Sequence, residues 1–116
     1  MSALADKMRR ARECAVEYGG HRYTVRIPTQ GELEDLHERL EGQRLTPRRV
    51  ALAFTVGWSL KEIDLIEGGR PTDAPFDADA VAEHLNGNAD LCNALFSAIS
   101  DGIAARTSQR EDDQKN

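Results

Sequence analysis

The chain has 116 residues, 15 basic against 20 acidic side chains, a net charge of −5 and only 5% aromatic residues. That length suits one domain with a core of Leu, Val, Ile and Ala, and the negative charge argues against broad nucleic-acid or anionic-membrane binding. No run approaches the roughly 18 apolar residues of a membrane span, and the basic start lacks the apolar stretch of a secretory signal.

Residues 1–12, with Lys7, Arg9, Arg10 and Arg12, read as a flexible basic end. A single domain is expected over residues 13–105, opening on a β-hairpin at 13–28. Gly19-Gly20 supplies the positive backbone angles of a two-residue hairpin turn. Counting outward pairs Tyr18 with His21, Val16 with Tyr23 and Cys14 with Val25 on one apolar face. On the other face Glu17 meets Arg22 and Glu13 meets Arg26, so the charges select the same register. Pro28 stops the second strand because it has no N–H to donate.

Four helices are expected next, at about 30–41, 46–58, 77–86 and 88–105. Thr29 and Glu32 form a capping box, with Leu33, Leu36 and Leu40 along one face and Gly42 as the stop. Thr46 and Pro47 are an N-cap and first helical residue, and Val50, Ala53, Phe54 and Gly57/Trp58 follow at helical spacing. Asp77 caps the third helix, where Phe76 and Val81 make a hydrophobic staple, and Gly87 ends it. Asn88 opens the last, with Leu91, Leu95, Ile99 and Ile103 in one stripe. Residues 106–116 carry no apolar side chain and read as a disordered polar tail. The fold class is therefore α+β, mainly helical: an N-terminal hairpin and about four short helices.

Chemistry-bearing residues are scattered. Cys14 and Cys92 lie far apart without a CxxC and read as buried, reduced thiols. His21, His37 and His84 have no ligand-spaced companions. No nucleophile elbow, P-loop or metalloprotease motif occurs. Gly68-Gly69-Arg70 can be read as an anion cradle, but a plain turn is the commoner use of such residues. The expectation is a protein that is not an enzyme, with no metal and no cofactor.

Two functional readings concern the stretch from Val56 to Phe76. Ala53, Gly57 and Ile63 fall at the spacing of a helix-turn-helix unit of a small DNA-binding protein. Its recognition helix, Ser59 to Glu67, would carry Glu62, Asp64 and Glu67 against a lone Lys61, the wrong sign for a phosphate-lined groove. The other reading comes from order. Val56, Gly57 and Trp58, the acidic glycine-containing loop with Gly68, then Pro75 and Phe76 opening a helix with Leu85, and Leu91, Leu95 and Ile99 in the next, resemble the tail assembly chaperones of long-tailed bacteriophages and prophages. The resemblance covers about the C-terminal two-thirds of the chain. It departs from the family after Trp58, where this segment is longer and more helical.

Such a resemblance implies binding of the tape measure protein, which is kept soluble before the tail tube assembles, in the cytoplasm of a bacterial host. It also implies that a longer, frameshifted form recruits the tail tube protein, and it leaves room for self-association. Within this chain Trp58 reads first as an anchor tying both ends of its loop to the core. As a partner-facing surface the candidates are Trp58, Phe54, Leu60, Ile63 and Phe76.

Overall fold

The computed structural model describes residues 2–115, with side chains as far as residue 108; Met1 and Asn116 lie outside the described residues. The fold is α+β and mainly helical, as the patterning implies. Strands β1 (Glu13–Tyr18) and β2 (His21–Arg26) form the expected hairpin, with Tyr18 opposite His21, Val16 opposite Tyr23 and Cys14 opposite Val25. Gly19 and Gly20 sit at φ +60° and +81°, left-handed backbone that a two-residue turn demands and glycine adopts without strain. Glu17 lies 3.6 Å from Arg22 across the ladder. Arg26 stands opposite Glu13 but turns its guanidinium to Glu32, 2.7 Å away.

Within the flexible basic end expected at 1–12, Ala3–Arg10 form helix α1. Ser2 caps it by accepting from the Ala5 N–H, and Leu4 and Met8 recur one turn apart. Helix α2 (Gln30–Arg39) begins at the Thr29–Glu32 capping box. Its Glu32 carboxylate also accepts from Arg12 and Arg26, both at 2.7 Å. One carboxylate thus joins the α1–β1 junction, the end of β2 and the start of α2.

Helix α3 (Pro47–Phe54) is capped by Thr46 but stops four residues short of the expected end at 58. Thr55–Trp58 instead form a third strand, β3, antiparallel to β2. Tyr23 faces Trp58 and Thr24 faces Gly57, and Val25 then pairs with Thr55 across an irregularity that skips Val56. Two β-branched residues followed by glycine are poor at continuing a helix, and the open N–H and C=O groups of β2 give them a ladder to join. The segment expected to form a recognition helix after Trp58 is mostly irregular, with a single turn, α4 (Glu62–Leu65). Helix α5 (Ala78–Asn86) is capped by the Asp77 side chain, and Gly87 closes it.

Helix α6 (Ala89–Lys115) is 27 residues long. It runs on to Lys115, through most of the segment 106–116 expected to be a disordered tail, of which Asn116 lies outside the described residues. Its first half is nailed down by Leu91, Cys92, Leu95 and Ile99, all buried, and adding turns to an existing helix needs no new nucleus. Helices α3, α5 and α6 pack on one another, and α3 and α6 cover one face of the sheet. Val25, Ala51, Leu95 and Ile99 are wholly inaccessible there, each larger aliphatic contributing about 1.5–3 kcal/mol. Cys92 is buried, its thiol donating to the Leu85 carbonyl. Cys14, expected to be buried, is exposed, because β1 is the sheet's edge and has only one flanking strand. Among the described residues no helix is long and apolar enough to cross a membrane.

Candidate partner-binding surface

The segment from Trp58 to Phe76 is a loop zipped to itself. Its two arms run antiparallel. The Ala74 N–H donates to the Leu60 carbonyl, the Glu62 N–H to Thr72 and the Ile63 N–H to Arg70, at 2.9 to 3.0 Å, and Lys61 bridges Asp73. The tip turns through Gly68 at φ +80°. A Cβ on Gly69 would stand 2.8 Å from the Glu62 carbonyl oxygen, so the arms can close only over a residue without one. The Gly69 N–H donates to Ile66 and the Arg70 N–H to the Glu62 carboxylate. Two of the three amides that could have cradled an anion are used inside the protein, and the segment makes a turn.

Trp58 holds the base of this loop. Its indole is edge-on to Phe76 (centroids 5.1 Å apart, planes at 85°) and to His84 (5.8 Å, 89°). Its Nε1–H donates to the Ala74 carbonyl at 2.9 Å. Perpendicular aromatic pairs at this separation add stabilisation beyond the area they bury. One side chain therefore grips the loop's returning arm by backbone and by ring, as expected of an anchor, although it does so from a strand and not from the end of a helix.

Behind Trp58, the Tyr23 hydroxyl lies 2.9 Å from His84 Nε2. Burial, aided by the nearby His21, pushes the His84 pKa down, which favours the neutral ring. Burial first, then Tyr18 and Asp64, raises that of Tyr23, which keeps its proton. His21 in turn stands 3.9 Å from Asp64 of α4.

The five candidate partner-binding residues divide. Phe54 and Leu60 are only 2% exposed and belong to the core. Trp58 and Phe76 are half-buried and hold each other. Ile63 alone is open, 50% exposed, and it is joined by Ile66, 59% exposed, which the sequence analysis did not single out. The three-residue spacing of Ile63 and Ile66 within the SLKEIDLI stretch was the available signal. Beside Ile66 is a cleft of about 390 Å³ lined by Leu65, Ile66, Ala80, Glu83 and His84. Its walls are mostly apolar, with one carboxylate and one imidazole. Such a surface is fitted to receive an apolar ridge from another molecule.

The sequence and the fold match no protein-family model, no curated protein and no solved structure.

Proposed function

We propose that this protein is a tail assembly chaperone of a long-tailed bacteriophage or prophage, which binds the tape measure protein and keeps it soluble until the tail tube assembles. The observation that carries the reading is the exposed pair Ile63 and Ile66, the second of which lines the Leu65–Ala80 cleft. A long helical client with apolar patches presents side chains at intervals of three and four residues, and a short apolar groove on a rigid scaffold is a complement to one such patch. The order of Gly57, Trp58, Gly68, Pro75 and Phe76, with the closing helices, supports the same reading. The work takes place in the bacterial cytoplasm, where the client is made. A longer, frameshifted form would carry an extension beyond α6 and recruit the tail tube protein.

Co-expression tests this. The protein should raise the soluble yield of the tape measure protein and co-purify with it through moderate salt, because apolar burial supplies most of the contact. Replacing both Ile63→Asp and Ile66→Asp should abolish the effect while leaving the fold intact. Binding to duplex DNA that weakens steeply with salt, with no change in tape measure solubility, would overturn the proposal.

A further inference from the structure

Four large apolar side chains stand exposed among the described residues: Leu4, Met8, Ile63 and Ile66. They form two pairs at opposite ends of the sheet. Leu4 and Met8, 67% and 62% exposed, lie one turn apart on α1, a capped helix with no buried residue. Ile66 lines the cleft, and Ile63 is exposed three residues before it. We propose that a second copy of this chain seats its α1 in that cleft, in the place that a client's apolar patch takes over when the client binds.

The two regions have opposite charge. The last turn of α1 carries Lys7, Arg9 and Arg10, of which only Arg9 is engaged among the described residues, by Asp6 at 2.8 Å. From residue 62 to residue 83 the chain carries seven carboxylates and one basic side chain, Arg70. Glu83 is in the wall of the cleft and Glu67 follows Ile66 directly. Neither has an ion-pair partner among the described residues. An amphipathic helix with an apolar stripe and a cationic end fits an apolar cleft with an acidic edge, in sign as well as in shape.

The occupant cannot be the same molecule's own α1. That helix joins β1 through Ala11 and Arg12. Arg12 is held fast, its carbonyl by the Ile27 N–H at 2.9 Å and its guanidinium by Glu32. The cleft lies toward the other end of the hairpin, where the Arg22 N–H donates to Ser59 Oγ at 2.9 Å and His21 approaches Asp64. Six strand residues separate the two ends, about 20 Å at the usual rise. A second copy placed antiparallel brings each α1 to the other's cleft, satisfies both pairs twice and closes as a twofold dimer. Two short helices make a small contact, so the association is reversible and concentration-dependent.

Sedimentation of the full chain alone reads this out, without reference to any client. The unmodified protein should pass from monomer to dimer as concentration rises. The Leu4→Asp/Met8→Asp variant and the Ile66→Asp variant should each weaken dimerisation by about tenfold or more with unchanged circular dichroism, since all three side chains are exposed. Mixing the two variants should restore association in part, because the mixed dimer regains one of the two contacts, an intact α1 in an intact cleft. Three results would overturn the proposal: a monomer at every concentration, variants that associate like the parent, or a mixture that stays monomeric. Loss of tape measure binding with dimerisation intact would count against the proposed function alone.

Discussion

Gly102 lies in α6 against the end of the sheet, and replacing it with alanine sets two effects of known sign against each other. In a helix interior alanine is favoured over glycine by about 1 kcal/mol. Here the added methyl would overlap Ile27 Cδ1 outright and stand 2.7 Å from Cγ1 and 3.3 Å from Cγ2. Ile27 is 6% exposed, and its branched side chain has few other rotamers to adopt. Inserting one carbon into such a contact costs about 1–3 kcal/mol. The overlap with Ile27 is severe, so the cost falls in the upper part of that range, overpacking wins, and Gly102→Ala should destabilise the fold by about 1–2 kcal/mol net. Urea denaturation measures the change directly, and the thermal midpoint should fall by roughly 4 °C or more per kcal/mol in a domain of this size. Repeating the substitution in Ile27→Val and Ile27→Ala backgrounds removes first the Cδ1 carbon and then all three. Its effect should move toward neutral in the first background and become stabilising by about 1 kcal/mol in the second. Equal effects in all three backgrounds would refute the packing of α6 on Ile27.

Trp58→Ala should cost about 2–4 kcal/mol, below the full range for a buried aromatic because the ring is half-buried, and should speed proteolysis within residues 59–75. Trp58→Phe keeps a ring against Phe76 but loses the bond to Ala74, and should cost about 1 kcal/mol; equal costs for the two would show that the ring contacts contribute nothing. Acid should weaken the fold in two separate steps, followed by denaturant melts across pH. His84 resists protonation in the fold, so stability falls as pH drops below about 6.5, where the unfolded histidine takes up a proton, and His84→Gln should remove that step. Burial alone would raise the Glu32 pKa, but the Thr29 N–H, Arg26 and Arg12 outweigh it and hold it low. Its contribution is therefore complete above about 4.3, the unfolded value, and is lost as pH falls through the lower folded value. A stability curve flat from neutral pH down to about 4.3 would contradict the His84 assignment.

Local chemistry made much of the architecture legible in the sequence. The hairpin register could be counted from Gly19-Gly20 because the turn, the apolar alternation and the Glu17–Arg22 pair all agree, and each acts within a few residues. The starts of α2, α3 and α5 were equally plain, since Thr29, Thr46 and Asp77 bond their own helices' first amides. Strand β3 was not, because the pattern of Val50 and Phe54 runs on to Trp58. What pulls Thr55 out of the helix is β2, some thirty residues earlier, and no window along the chain contains both. The far half of α6 was misjudged for a related reason: composition reports that a segment lacks a core face, not that a packed helix precedes it. Of the candidate partner-binding residues Ile63 is exposed, whereas Phe54 and Leu60 share its hydrophobicity but face inward. Periodicity ranks side chains by type, and only the path of the loop over the sheet decides which of them it covers.

The self-zipped loop between Trp58 and Phe76 also says where this protein can change length. Its ends are fixed by the indole and by the rungs from Leu60 to Ala74, while Glu67, Gly68 and Arg70 at its tip are exposed. Extra residues inserted at the tip would lengthen a loop whose closure is already secured at its base. The entropic penalty for doubling such a loop is only about 0.6 kcal/mol. The segment is thus a cassette, able to take up epitopes, recognition peptides or natural insertions between Gly68 and Arg70, while the sheet and the three packed helices below it stay as they are.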